Sequence, residues 1–145
     1  MIEAASQRDL PGICSLLERL SLPTEGIADH VSTTLVAREG SRIVGTAALE
    51  LYAEGALLRS VAVDPDLQGR RLGHRLTEAA LRLAETHGAD AVFLLTTTAE
   101  QFFPRFGFEP IPRESVPPTV RASVEFQSAC PASALVMRRR LTPGP

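Results

Sequence analysis

The stretch richest in chemical content is Val61-Ala62-Val63-Asp64-Pro65-Asp66-Leu67-Gln68-Gly69-Arg70-Arg71-Leu72-Gly73-His74. It places an apolar, β-branched run, a turn and a Gly/Arg loop directly before a helical pattern. Backbone N–H groups in such a loop and in a first helical turn have no intrahelical partner. They make a ready site for a pyrophosphate, and the helix dipole adds to the attraction. Arg70 and Arg71 put positive charge where the phosphates would lie. A Gly-rich loop alone is weak; the strand–loop–helix context gives it weight.

Other residues suit proton transfer or recognition. Glu50 falls near the end of a predicted strand, and a carboxylate among apolar residues there suits a general base. The alternative is a solvated strand-end glutamate. Arg59 and Arg121 carry forked donors that fit an anionic substrate group. Their alternatives are a structural ion pair for Arg59 and a helical i,i+4 pair of Arg121 with Glu125. Thr96, Thr97 and Thr98 offer hydroxyls. Cys14 lies on an apolar helix face and reads as core packing. Cys14 and Cys130 are the only cysteines, too few for a disulfide framework or a four-ligand zinc site. His30, His74 and His87 lack metal-ligand spacing, so no metal is expected.

These residues need elements to hold them. Residues 2–5 suit a short strand. Asp9 and Pro11 open a helix whose Leu10, Ile13, Cys14, Leu17 and Leu20 share one face. Residues 21–26 break it, and a short helical piece fits 27–31. A hairpin follows, with strands 33–38 and 42–52 around Glu39-Gly40-Ser41. The run 57–63 suits a strand buried on both faces. Helical periodicity covers 72–87 and stops at Gly88. A second buried strand is predicted at 91–95, parallel to 57–63 by the strand–helix–strand order. A short helix at 99–106, a strand from 107–109, a helix over 117–126 and a last strand at 134–141 complete the chain. The sum is an α+β fold around one mixed sheet.

Composition bounds the rest. The chain has 145 residues, a net charge of −2 and 44% hydrophobic residues, which fits one domain over residues 1–145. Residues 142–145 read as a frayed tail. All 15 Lys+Arg residues are arginine, read mainly as a coding bias. The near-neutral balance argues against a nucleic-acid partner. No apolar run reaches a membrane span and the first twenty residues show no secretory signal, so a cytoplasmic location is expected. A homodimer is a further expectation, with the C-terminal strand as the pairing edge.

The loop, together with Ala99-Glu100-Gln101-Phe102-Phe103-Pro104-Arg105-Phe106-Gly107-Phe108, resembles the GNAT superfamily of acetyl-CoA-dependent N-acetyltransferases. The resemblance covers nearly the whole chain and is strongest over 57–108. It implies a GNAT-like mixed, mostly antiparallel central sheet with helices on both faces and a splayed parallel strand pair. It implies acetyl-CoA as cosubstrate and a small-molecule amine as acceptor. Val61, Ala62 and Val63 would line the pantetheine arm, with main-chain contacts from Val61 and Val63. Gln68, Gly69, Arg70, Arg71, Leu72, Gly73 and His74 would cradle the pyrophosphate, and Phe103 would face the thioester. Gln68 and Gly73 match the ends of the family loop pattern, Gln/Arg-x-x-Gly-x-Gly/Ala. Arg71 stands where its inner glycine usually lies. Phe103 stands where many members carry a tyrosine that protonates the departing thiolate, and Thr96 replaces a frequent asparagine. A CoA thiol has a pKa near a free cysteine's ~8.5, so its thiolate leaves tolerably without that acid.

Three pieces narrow the resemblance. They are Leu57-Leu58-Arg59-Ser60-Val61-Ala62-Val63, Leu94-Leu95-Thr96-Thr97-Thr98-Ala99, and Arg121-Ala122-Ser123-Val124-Glu125-Phe126 leading to Cys130-Pro131-Ala132-Ser133-Ala134. Together they look like the second type of arsenic-resistance N-acetyltransferase. That likeness implies an arsenical or phosphinothricin-like amino acid as acceptor, with Arg59, Thr96, Arg121 and Cys130 as candidate substrate residues. Two rivals stand beside it: a non-catalytic acyl-CoA sensor, motivated by Phe103 and Arg71, and an arsenical-binding protein centred on Cys130.

Overall fold

A computed structural model describes residues 2–129 and 133–141. Seven strands form one sheet: β1 Ile2–Ala4, β2 Thr34–Glu39, β3 Arg42–Tyr52, β4 Gly55–Val63, β5 Ala91–Thr96, β6 Glu109–Pro110 and β7 Leu135–Arg140. Their order is β1-β2-β3-β4-β5-β7-β6, and only β4 and β5 run parallel. Three helices flank it: α1 Leu10–Arg19, α2 Leu72–Thr86 and the short α3 Pro118–Arg121.

Alternation along the strands divides the core between two faces. Ile13, Leu16 and Leu17 of α1 pack on Val36, Ala48 and Ala62. The neighbours Ala37, Ala47 and Leu49 point the other way, onto Leu72, Leu76, Ala80 and Ala84 of α2. The i, i+4 spacing of those four residues is what the sequence pattern displayed. Helices therefore cover both faces, and the mixed sheet and parallel pair follow the sequence expectation. Gly45 allows α2 to approach closely, since a Cβ there would lie 2.8 Å from Leu76 Cδ1.

The feature that matters for chemistry is the divergence of β4 from β5. Only Ala56↔Val92 and Leu57↔Phe93 are paired between them. Beyond that point β5 stays with β7 through Thr96↔Leu135, while β4 stays with β3 through Val63↔Gly45. A β-bulge drives them apart. Ala48 opposes Arg59 and Thr46 opposes Ala62, so β4 carries one extra residue across that interval. Ser60, inside the bulge, has a left-handed φ of 58°, and such bulges bend and twist their strand.

Several boundaries differ from expectation. Residues 99–106 hold only a 3-10 turn, Phe103–Phe106. Pro104 has no N–H to extend a helical ladder begun at residue 99. The predicted strand at 107–109 is the two-residue β6. The predicted helix over 117–126 stops at Arg121, where Ser123 N bonds Val120 O at 3.0 Å and tightens the last turn. A π-turn, Glu125–Ala129, follows. The Arg121/Glu125 helical pair therefore has no helix to carry it. The C-terminal strand is also not the open edge expected, because β6 pairs with it and Ile111 N bonds Val136 O at 3.0 Å. Cys130 and residues 142–145 lie outside the described residues.

Candidate active site

The gap between β4 and β5 opens into a cleft of about 490 Å³. One wall is Val61, Ala62, Val63, Gln68 and Gly73. The other is Thr96, Thr97, Thr98, Ala99, Phe102 and Phe103. The far end is closed by Leu22, Pro23, Arg59, Ser60 and Glu125. Of the sequence-derived cofactor residues, Val61, Ala62, Val63, Gln68, Gly73 and Phe103 line this cleft together with Thr96, while Gly69, Arg70, Arg71, Leu72 and His74 do not.

The register fixes where the β4 main chain points. Asp64 N donates to Val44 O at 2.8 Å, so Asp64 faces β3. Main-chain groups alternate sides along a strand, so Ala62 also faces β3 while Val61 and Val63 face the opening. Gln68 Nε2 donates to Val63 O across that side at 3.2 Å. Gln68 therefore ties the loop to the strand.

The loop then turns into α2. Gly69 has φ 91° with open space where a Cβ would stand. Arg71, the residue before α2, has φ 62° and ψ 17°. A non-glycine residue holds a left-handed conformation here, in the place where the family pattern has glycine. Arg70 and Arg71 are exposed. His74 turns its ring away from the cleft, onto Phe106 at 4.7 Å between centroids and towards Glu78 at 3.5 Å. Only its main chain belongs to the first turn of α2.

The opposite wall is aromatic and hydroxyl-rich. Phe103 is buried and packs edge-on against Phe102 at 5.1 Å and Phe108 at 5.8 Å. Thr96 Oγ1 accepts from Ala99 N at 2.9 Å and Thr98 N at 3.3 Å, which holds the turn after β5. Thr97 and Thr98 are exposed in the cleft mouth.

The far end is a buried charge cluster. Arg59 has a fully buried side chain. Its Nη1 donates to Glu50 Oε2 at 2.8 Å and Glu25 O at 2.6 Å, and its Nη2 to Pro23 O at 3.3 Å. Its Nε donates to Ser60 Oγ at 3.1 Å and lies 3.4 Å from Glu125 Oε2. Glu50 also accepts from the Tyr52 hydroxyl and lies 3.6 Å from His30 Nε2. Burial, with Glu50 beside it, raises the Tyr52 hydroxyl above its ordinary range, so it donates at any ordinary pH.

Three sequence expectations change on this geometry. Arg59 is an ion-pair residue whose donors are committed to protein partners, rather than a free clamp for substrate. Glu50 stands behind it with its carboxylate taken up by Arg59 and Tyr52. Arg121 is exposed at the end of α3, and the residue of that segment in the cleft wall is Glu125. Sequence reasoning had used Glu125 only as a helix partner. Its signal was the pattern Val124-Glu125-Phe126, a carboxylate between two apolar residues. The left-handed Ser60 had no sequence signal. Burial and Glu18 raise the Cys14 thiol, which fits an unreactive residue packed against the α1 core.

A protein-family model for the acetyltransferase (GNAT) domain matches residues 30–110. The chain belongs to the GNAT acetyltransferase family. Amino-acid acetyltransferase from Mannheimia succiniciproducens is 30% identical over 138 residues, covering 87% of this chain and 31% of that protein. Amino-acid acetyltransferase from Mycobacterium tuberculosis is 38% identical over 86 residues, covering 59% of this chain and 48% of that protein. This GNAT domain thus spans a third to a half of the length of these relatives. The crystal structure of Rv2747 from Mycobacterium tuberculosis in complex with CoA and NLQ superposes with a TM-score of 0.83 at 24% identity, covering 98% of this chain and 99% of that one. N-acetylglutamate synthase from Neisseria gonorrhoeae, complexed with coenzyme A and L-arginine, has a TM-score of 0.82 at 26% identity, covering 99% of this chain and 33% of that one. Among the described residues no helix is long and apolar enough to cross a membrane. Among the same residues no group of three or more His, Cys, Asp or Glu is placed to hold a metal ion.

Proposed function

We propose that this GNAT domain transfers the acetyl group of acetyl-CoA to the amine of a small molecule. The observation that carries the reading is the strand gap itself. It turns the Val61 and Val63 main chain towards the cleft and runs on into the loop from Gln68 to Gly73. Extended main chain in such a gap suits the amides of a pantetheine arm. The loop and the first N–H groups of α2 suit the pyrophosphate, with Arg70 and Arg71 adding charge. Phe103 and Ala99 make an apolar wall for the thioester. The amine sits in this reading at the cleft end lined by Leu22, Pro23, Ser60 and Glu125. Glu50 acts in this reading by holding Arg59.

The acceptor in this reading is an amino acid or an analogue of one. Relatives named amino-acid acetyltransferase support it. The arsenical or phosphinothricin-like amino acid is the finer form, supported by the three sequence pieces that resemble the arsenic-operon branch. Thiol release from acetyl-CoA over a panel of amines tests the reading. The panel holds neutral and acidic amino acids, phosphinothricin, simple monoamines and diamines. Turnover with at least one amine is expected. CoA binding without turnover on any of them would sink the enzyme reading and leave an acyl-CoA sensor. Arsenite binding with no CoA affinity would leave an arsenical-binding protein.

A further inference from the structure

We propose that Glu125 is the residue that receives the acceptor ammonium group and takes its proton. The inference rests on the transferase reading above and names the base of that same site.

Three observations bring it to Glu125. First, it is the carboxylate that reaches the cleft wall. Its side chain is only 5% exposed, yet it lines the cleft with Arg59, Ser60, Thr96 and Phe103. Second, this end of the cleft is a buried polar cluster, with Glu125 Oε2 3.4 Å from Arg59 Nε. The faces around Glu125 carry Arg59 from β4, Glu50 and Tyr52 from β3, and His30 from the segment before β2. An ammonium entering the cleft there meets the Glu125 carboxylate away from bulk water, where opposite charges attract most strongly. Third, Glu125 opens a π-turn, Glu125–Ala129, and such turns recur at functional positions. Ser123, buried just before it, supports the turn by accepting from Phe126 N through Oγ at 3.4 Å.

The chemistry balances. The Glu125 carboxylate takes one proton from the ammonium and leaves a neutral amine. The amine nitrogen bonds to the thioester carbonyl carbon as the carbon–sulfur bond breaks. The second nitrogen proton leaves with the departing thiolate, giving amide, free CoA thiol and a protonated Glu125, which returns its proton to water. Glu50 and Arg59 are positioning residues, since they act through Glu125.

The test is Glu125→Gln, which keeps an acceptor oxygen for Arg59. At neutral pH kcat/KM for the amine should fall by about 10²–10³, within the usual range for lost acid–base help. The deficit should shrink as pH rises towards the amine's own pKa, because solution then supplies the neutral form. Calorimetry should show CoA affinity within twofold of the parent, and amine binding to the CoA complex weaker by tenfold or more. Should Glu125→Gln not fold, Glu125→Asp keeps the charge and replaces it, with the same pH signature at smaller amplitude expected. If either folded variant turns over the amine within twofold of the parent across the pH range, the proposal is overturned. That outcome leaves the transferase reading standing. A parent domain that binds CoA and acetylates no amine overturns the transferase reading and this one with it.

Discussion

Arg59 Nη1 donates to Glu50 Oε2 at 2.8 Å, in a pair whose side chains are 0% and 1% exposed. The pair crosses from β4 to β3 just before the bulge at Ser60, and Arg59 reaches on to the Glu25 and Pro23 carbonyls. One guanidinium therefore joins the strand that forms the cleft to the loop that closes its far end. Buried pairs are strongly asymmetric in energy: the intact pair adds little, while an orphaned charge is costly.

Arg59→Leu should consequently destabilise the domain by about 3–5 kcal/mol, because Glu50 would stay buried without its counter-charge. The double substitution Arg59→Leu with Glu50→Leu should recover much of that loss. Urea unfolding of the two variants checks it. A single-variant loss under about 1 kcal/mol would show that water reaches this carboxylate after Arg59 is gone.

Arg71 holds φ 62° at the mouth of α2. A left-handed non-glycine residue costs roughly 1–2 kcal/mol, while glycine loses roughly 0.5–1 kcal/mol in chain entropy. Arg71→Gly should therefore leave stability unchanged or raise it by up to ~1 kcal/mol. CoA affinity by calorimetry should be equal or tighter, because the main-chain N–H stays in place. A tenfold weakening would make the Arg71 guanidinium itself a phosphate ligand.

Much of this was legible in the chain. The apolar spacing of α2, the hairpin turn at Gly40 and the loop from Gln68 to Gly73 are local patterns, and local patterns fix local structure. The failures share a cause. Residues 99–106 and 117–126 look helical by spacing, but Pro104 and the Ser123 turn break the ladder at points set by neighbouring contacts. The roles of Arg59, Glu50 and Glu125 depend on residues far apart in the chain meeting in one cavity. No spacing rule shows that Tyr52 donates to Glu50, or that Glu125 turns inward to Arg59. The bulge at Ser60 is set by pairing with β3, which is a tertiary fact.

Two carboxylates near α1 should make the domain acid-sensitive. Arg38 and the Ser6 main-chain N–H hold the Asp9 carboxyl well below the ordinary carboxylate range. The Asp66 N–H and Arg19, with Arg42 nearby, hold Asp64 below it too. Both folded-state pKa values lie below the unfolded ones, so their stabilisation is present above the unfolded value of about 3.9. It is lost as pH falls through the depressed folded values. Stability measured by urea unfolding should drop steeply below about pH 4. Asp9→Asn should be less stable at neutral pH and show a shallower drop. A variant with the parent's full acid slope would place the lost protonation elsewhere.

Phe103 packs edge-on against Phe102 and Phe108 while lining the cleft wall opposite Val61 and Val63. The resemblance drawn from the sequence implies a tyrosine at this position, whose hydroxyl would protonate the departing thiolate. Phe103→Tyr adds that hydroxyl without removing ring contacts. General acid help is worth roughly 10²–10⁴ where it is needed in full, but a CoA thiolate leaves tolerably unaided at a thiol pKa of ~8.5. The expected gain in kcat is thus about tenfold, smaller than that range. It should fade above about pH 8.5, where the thiolate no longer takes a proton in solution. Steady-state thiol release from pH 6 to 9 measures it. A kcat within twofold of the parent at every pH would mean that thiolate departure does not limit turnover, and that Phe103 serves the cleft only as an apolar wall.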